Sequence, residues 1–515
     1  MKLKNIILLT GILLPVSSAF AQYTEDVLRF SQTENGTTSR FTGLGGAQTA
    51  LGGDASSIAS NPAGLGLFTK SEFSFTPGYT NNKATGNYLN TSSSIQKDRA
   101  GINQVAVAFY NPTKRYDNSE ASKGWLSVNI GLAYNKTNNF NGTTDYSGVN
   151  PNSSFGDYLA DIARNPNDVL ADAGYESYLI ELDGTTANTQ NERYFPLTDI
   201  NNNQQNTIYR TGNQSEVNFS LGANYSNQLY VGASIGLASI NYNADRIFTE
   251  SGSTLDLASI NAQGLNVYNE TLPYLDGNYR LSYSSNQETK GTGVNGKLGV
   301  IYRANPNFRV GFSFVTPTWY SISDTYSEGL NNRFNKANGL SENFNNDQEY
   351  YEINYTLRTP YRLNGGVAFI VNNIGLITGD IEFVDYASMH FNSDDERETT
   401  INTNNDIRDM YQSAVNFKVG AEVKLNPIML RVGYNTTGNP YQNATYTSNT
   451  ISGGFGYRVN NISFDLTYAS LTSKYDTSPY YISQDYPYYG STGSGDIANI
   501  KNKRNNVFAT IGLRF

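Results

Sequence analysis

Residues able to do acid–base, redox or ligand chemistry are few in this chain of 515 residues. Its single histidine, His390, sits in the stretch YASMHFNSDDE. A serine–histidine hydrolase needs that ring held between a nucleophilic hydroxyl and a third, orienting group. No Gly-x-Ser-x-Gly stands nearby, and one isolated histidine is weak ground for haem ligation. His390 is read as an ordinary residue of a strand-to-loop junction. Cysteine is absent, which removes disulfide frameworks and thiolate metal sites. The acidic run 392–398, NSDDERE, lacks the ligand spacing of a calcium loop and reads as solvated. The stretch GLGGAQTALGGD invites a phosphate-loop reading. It fails because Gly43-Leu44-Gly45 is followed by Gln48 rather than glycine, and no Gly-Lys-Ser/Thr comes after. No catalytic residue, metal or cofactor is expected.

The charges that do form a pattern alternate with apolar residues. Asp380 and Glu382 are interleaved with Ile381 and Phe383, so both carboxylates leave the same face of an extended segment. Arg362, Arg309 and Arg431 lie in runs of the same kind. Such charges suit the inside of a closed sheet, where they pair with one another or with whatever fills it.

Strands must position these residues, and period two is the dominant signal along the chain. FRVGFSF places Phe308, Val310, Phe312 and Phe314 on one face, and ISFDLTY does the same with Ile462, Phe464, Leu466 and Tyr468. LYVGASIGL and the terminal VFATIGLRF repeat the pattern. Short turn signals at 226–228, 305–307, 372–373, 426–427 and 460–461, and a longer one at 111–123, read as hairpin connections. Long polar stretches lie between them, at about 81–100, 137–214, 244–277, 325–347, 388–410, 436–448 and 473–502. Short turns at one end and long loops at the other predict an all-β, antiparallel transmembrane barrel of about fourteen strands. A soluble sandwich or propeller also alternates, but it does not produce this rhythm, and no repeat of about 40 residues is present. Within 137–214, SFGDYLADIARNPNDVLADAGY has helical spacing that Pro166 splits into two short helices. The run YYISQDYPYYG, Tyr480 to Gly490, offers either a capture surface or a loop core.

Composition agrees with a barrel. The formal net charge is −9, with 39 Tyr and 25 Phe. The acidic balance argues against nucleic acid as a partner, and the aromatics suit interfacial girdles. Mean hydropathy is −0.48, which alternation makes compatible with a membrane wall. Lys2 and Lys4, the apolar run Ile6 to Val16 and Ala19-Phe20-Ala21 describe a secretory leader, residues 1–21, with the mature chain beginning at Gln22.

The stretch SRFTGLGGAQTALGGDASSIASNPAGLGLF resembles the N-terminal hatch of the FadL/TodX-type outer-membrane transporters for long-chain fatty acids and hydrocarbons. The match rests on Gly45-Gly46-Ala47, Asp54-Ala55-Ser56 and Asn61-Pro62-Ala63-Gly64. GTGVNGKLGVIYRANPNFRVGFSFVTPT and TPYRLNGGVAFIV followed by GDIEFVDY resemble family hairpins. The resemblance implies a hatch over residues 22–70, containing short helices, inside a barrel over 71–515 with long extracellular loops. It implies capture of a hydrophobic molecule in an apolar pocket, gating by the hatch through Asp54 and Asn61 to Gly64, and lateral release. The family opening lies at a kinked third strand, which here points to Asn129 and Gly131. Arg362, Asp380 and Glu382 become candidate lumen charges. Implied partners are a hydrophobic small molecule, outer-membrane lipid and lipopolysaccharide, and the barrel-assembly machinery through Phe515. The implied setting is a monomer in the outer membrane of a Gram-negative bacterium. The alternative is a structural or adhesive barrel whose long loops bind a surface partner.

Overall fold

The computed structural model describes residues 18–34, 38–113, 122–165, 168–187, 192–268, 272–336, 339, 341–346, 349–371, 374–394, 396–483, 486 and 496–515. Most of the expected leader, the turn at Asn372-Asn373, Pro166 and much of Tyr480 to Gly490 lie outside them.

Fourteen strands close into one antiparallel barrel. They are β1 Glu72–Tyr88, β2 Thr91–Phe109, β3 Trp125–Asn139, β4 Asn202–Tyr225, β5 Leu229–Ser253, β6 Gly277–Asn305 and β7 Phe308–Val315 with Trp319–Lys336. Then come β8 Glu349–Arg358 with Arg362–Val371, β9 Gly375–Asp385, β10 Ser413–Leu425, β11 Ile428–Thr437, β12 Tyr446–Val459, β13 Ile462–Thr477 and β14 Ala498–Arg514. β14 pairs with β1, Leu513 opposite Phe73, so no edge is left between the ends of the sheet.

Among the described residues, the short connections at 226–228, 305–307, 426–427 and 460–461 fall at the expected places, while 114–121 of the longer one lie outside them. Ser226, Asn227 and Asn460 adopt positive φ, the conformation that tight hairpin turns demand and asparagine tolerates. The alternating apolar residues face outward. Ile235, Leu237, Leu298, Phe312, Phe369, Phe417, Val432, Ile451, Ile462, Ile511 and Leu513 are all exposed, Leu237 at 61 %. A continuous apolar exterior on a closed cylinder is the signature of a wall solvated by hydrocarbon. Asp380, Glu382 and Arg431 are buried inside.

The polar stretches hold more strand than the sequence suggests. Residues 81–100 are the upper half of a β1–β2 hairpin closed by Leu89 and Asn90 at positive φ. Within 137–214, β3 runs on to Asn139, Gly142–Asn150 is extended, and β4 already begins at Asn202. β5 is 25 residues long and β6 is 29, whereas a tilted strand crosses a bilayer in roughly 10. On β5 the outward residues pass from Val231, Ala233, Ile235 and Leu237 to Ser239, Asn241, Asn243 and Asp245. The strands therefore rise well above the apolar belt, and there the outward face is polar while inward residues such as Ile240 and Tyr242 are apolar, so the sense of the alternation reverses.

Helices fill or cover the lumen. They are α1 Ser18–Ser31, α2 Ser39–Gly43, α3 Phe155–Ile162, α4 Val169–Glu176, α5 Leu257–Ala262 and α6 Arg397–Met410. The two helices expected on either side of Pro166 are α3 and α4. α3 opens with a capping box, Ser154 and Asp157 each bonding the other's backbone. α6 was not expected. Its buried stripe is Thr399, Thr403 and Ile407, spaced as one helix face but too polar to announce itself.

Candidate functional site

Residues 38–68 form a knot of short turns inside the barrel. Asp54 caps the 3₁₀ turn Ala55–Ile58, accepting from Ser56 N at 2.9 Å, and also accepts from the Thr38 hydroxyl at 3.0 Å. Asn61 caps the next turn, Pro62–Leu67, accepting from Ala63 N at 3.2 Å, and Pro62 opens that turn. The same asparagine donates to Thr49 O at 2.7 Å and to the wall at Phe312 O, 3.4 Å. Gly52, at φ +60°, approaches Gly64 so closely that a Cβ on it would lie 2.7 Å from the Gly64 Cα. Only small residues allow these turns to nest.

Every side of the wall holds this segment. Asn129 of β3 donates to Leu65 O at 2.7 Å, and Ser220 of β4 to Ile58 O at 2.7 Å. Lys297 of β6 donates to Ala59 O at 2.8 Å, and Arg309 of β7 to Leu51 O at 2.8 Å. Asn435 of β11 donates to Gly45 O at 3.1 Å, and Thr467 of β13 to Ser39 O at 2.7 Å. Asp380 of β9 gathers three donors onto one oxygen: Gln48 N at 2.7 Å, Thr49 N at 2.8 Å and Thr49 Oγ1 at 2.8 Å. Glu422 of β10 bridges Arg40, 3.3 Å away in α2, and Arg431 of β11 at 2.7 Å; Arg431 also reaches Asp465 at 2.5 Å. These contacts satisfy backbone groups that turns buried in a wall would otherwise leave bare.

Above this knot lies a cavity of about 150 Å³. The resemblance implied an apolar pocket, but this cavity is polar. Lys136, Glu216, Lys297, Arg362, Asp380, Glu382 and Lys418 all line it. Lys297 pairs with Glu216, while Lys418, at 3.2 Å, and Arg362, at 3.7 Å, pair with Glu382. Arg362, Asp380 and Glu382 are thus brought together here.

The apolar surface inside the barrel lies one layer higher, and α1 occupies it. Tyr23, Val27, Leu28 and Phe30 pack against inward-facing Ile240, Tyr242, Ile322, Tyr355, Leu357 and Phe391. Phe30 meets Phe140 and Tyr242 edge to face, each at 5.8 Å, and Tyr23 lies 5.5 Å from Phe391. α6 roofs the chamber through Ile407, and Tyr411 just beyond it donates to Thr24 O at 2.9 Å. Gln214 and Arg362 hold the far end of α1 at Phe30 O and Ser31 O. Neither helix surface was singled out from sequence. Val27, Leu28 and Phe30 were the available signal, hidden beside the leader.

The third strand stays paired with β4 through Asn139, while its ladder with β2 stops short, and Asn129 and Gly131 lie away from that stop. Gly131 pairs with Ala108 of β2 on one side and Ser220 of β4 on the other, and Asn129 anchors the plug. A Cβ on Gly131 would strike Ile58 at 2.7 Å, so that glycine serves close approach of the plug. The β2–β3 ladder ends at Gln104 and Asn135, and β3 shifts register between Lys136 and Asn138. Its continuation Gly142–Asn150 forms a ladder with β4 and meets the upper β1–β2 hairpin through side chains, Asn82 donating to Asn141 O at 3.0 Å and Ser93 to Asp145 O at 2.7 Å. A seam is left beside residues 98–102 of β2, which are exposed on both faces. Thr137 O at this seam accepts from Glu34 N at 2.7 Å, and Glu34 pairs with Arg504.

His390 is exposed at the foot of the loop carrying α6, opposite Arg358. Tyr480, Ile482 and Tyr486 are core of a cap formed with α3 and α4, and Tyr480 bonds Ser153 and Gln204.

No protein-family model matches the chain, and no curated protein sequence matches it significantly. Solved structures do. A FadL homologue of Pseudomonas aeruginosa superposes with a TM-score of 0.56 at 11 % identity, covering 94 % of this chain and 100 % of that one. The toluene transporter TodX of Pseudomonas putida gives 0.50 at 14 % identity, covering 93 % and 98 %. The shared fold thus extends over nearly the whole length of both chains, and this protein has the fold of the FadL/TodX-type outer-membrane transporters.

Proposed function

We propose that this protein carries hydrophobic small molecules across the outer membrane of a Gram-negative bacterium, with residues 22–70 as its hatch. The observation that carries this reading is the aromatic chamber inside the barrel. A wet pore has polar inward residues, whereas Ile240, Tyr242, Ile322, Tyr355 and Leu357 point into this lumen. Removing apolar surface from water gains about 25 cal/mol per Å², so a hydrocarbon chain that displaced α1 would find a matching lining. The hatch below blocks straight passage, because its backbone is bonded to strands all round the wall. The seam beside Lys136 opens sideways at the level of the polar cavity. Release would run from chamber to seam to membrane, and movement of Glu34 would widen the way. Capture outside, hatch gating and lateral exit form one route in this proposal.

The test is uptake of labelled long-chain fatty acids, long-chain alcohols and aromatic hydrocarbons by cells with and without the gene. Faster entry of at least one class in the gene-bearing cells is expected. Equal uptake across the panel would rule transport out in favour of a structural or adhesive barrel.

A further inference from the structure

The outer face of the wall turns basic just above its apolar belt on three neighbouring strands. The last outward apolar row there is Tyr468 of β13, Val507 of β14 and Tyr79 of β1, directly opposite one another and all exposed. The next outward row is Ser470, Asn505 and Asn81. Tyr468 and Ser470 each donate to the Asn505 side chain at 2.9 Å. Above that row, Lys83 of β1 stands directly opposite Lys503 of β14, and Lys474 of β13 directly opposite Lys501. The period of two carries all four outward, and all four are exposed. Their inward neighbours differ: Asn82, Ala84 and Ile500 are buried, and Arg504 turns in to pair with Glu34. Among the described residues, none of the four lysines is held in an ion pair, whereas Lys290, outward on β6, is paired with Glu288. The acids at the margins are engaged elsewhere. Asp98 accepts from Asn81 at 2.5 Å, and Asp476 from Asn499 at 2.7 Å.

Like charges directly opposite in a sheet repel, and here two such pairs lie side by side, with four ammonium groups within roughly 12 Å. An anion between them would relieve that repulsion. The height of the patch decides which anion. Four residues along a tilted strand rise about 10 Å above the last apolar row, and lysine stems can swing their ammonium groups back toward the membrane. The patch thus borders the headgroup layer and faces sideways, away from partners that approach the loop tips. At that level the neighbour of an outer-membrane wall is a phosphorylated glycolipid, and phosphate is the natural partner for lysine as a point charge. We propose that β13, β14 and β1 form a docking face for lipopolysaccharide, with its acyl chains on the apolar belt and its lipid A phosphates among Lys83, Lys474, Lys501 and Lys503. This rests on the outer-membrane setting and is independent of what the barrel carries.

The test is native mass spectrometry of the purified full-length protein in detergent, titrated with lipid A bearing two phosphates and with the same lipid stripped of both. The phosphorylated form is expected to bind at least tenfold more tightly. A lysine close to an anionic surface contributes about fivefold in affinity, so Lys83→Gln combined with Lys503→Gln should weaken it about twentyfold. Lys290→Gln removes a charge that is already paired and should change nothing. Heat-modifiable gel mobility checks that each variant is folded. If the double variant does not fold, Lys503→Gln alone should weaken binding about fivefold. Equal binding with and without phosphates, undiminished binding by the folded lysine variants, or an equal loss in Lys290→Gln would each overturn the assignment. Complete displacement of lipid A by millimolar inorganic pyrophosphate would overturn it too, making the patch a site for soluble phosphates. No readout here depends on uptake, so failure of this docking face leaves the transport reading standing.

Discussion

Asp380 shows how far a single residue could be read in advance. Its alternation with Ile381 and Phe383 put it inside the barrel, and it is there. That it holds Gln48 and Thr49 was not legible, because the contact joins residues 331 and 332 positions apart and exists only once the wall closes. The same gap explains Asn129. Its inward face was readable, but its role as an anchor for Leu65 O depends on where the hatch lies. Asp380→Asn keeps the shape and removes the charge from three hydrogen bonds, each of the charge-assisted kind that contributes about 1.5–3 kcal/mol. Local opening around residues 46–51 should become easier by about 2 kcal/mol, seen as faster amide exchange there. The heat-modifiable gel mobility of the barrel should stay native. Unchanged exchange at 46–51 would mean that the remaining wall contacts fix the hatch without Asp380.

At the scale of elements, the strands of the apolar belt were legible because lipid imposes period two on them. The β1–β2 hairpin above the belt and helix α6 were not, since neither needs an apolar stripe to satisfy its backbone. α1 is the element on which the proposed route depends. If it occupies the ligand's chamber, loosening it should favour the ligand, because binding then displaces less. Phe30→Ala removes a fully buried ring from α1, a change that typically costs 3–5 kcal/mol of packing. Ligand affinity should rise about tenfold, within that limit, as measured by ligand-induced shifts in melting temperature. A fall in affinity would instead make Phe30 part of the ligand's own wall.

The cap on α3 is a second such element and brings a pH dependence. Asp157 is pushed up to about 6 by burial, against the hydrogen bonds from Ser154. Glu250, near the top of β5 and far above the apolar belt, is pushed up to about 7 by burial, although Tyr279, Gln204 and Phe155 N donate to it. Both folded values lie above the usual unfolded values near 4. Their contribution is therefore complete below about pH 4 and is lost as pH rises through 6 and 7. Amides of 155–162, corrected for intrinsic rates, should be better protected at pH 5 than at pH 8. Glu250→Gln should remove much of that difference. Equal protection at both pH values would show that these carboxyls do not govern the cap.

At the scale of the whole molecule, the β2–β3 seam interrupts the wall on its lipid side, and on the proposed route a hydrophobic passenger leaves there. On that route straight descent is closed by residues 38–68, whose contacts come from strands on all sides. Return to the outside crosses the roof made by α6. The β2–β3 seam is bordered by the polar cavity within and by Ile102, 48 % exposed, without. Gly101 lies at this edge, and a Cβ built there meets nothing within 4 Å, so a large side chain can enter without straining the β1–β2 pairing. Gly101→Trp should leave folding and ligand binding intact while obstructing the exit. An indole buries on the order of 200 Å² of contact area, enough to span the width of a hydrocarbon chain. Uptake by cells should fall several-fold, whereas affinity measured on purified protein should not change. If uptake by Gly101→Trp cells matches that of the parent, the passenger does not leave by the seam. The break between Val315 and Trp319, where β7 and β8 exchange Thr318 and Thr359 hydrogen bonds, then becomes the next stretch of wall to obstruct.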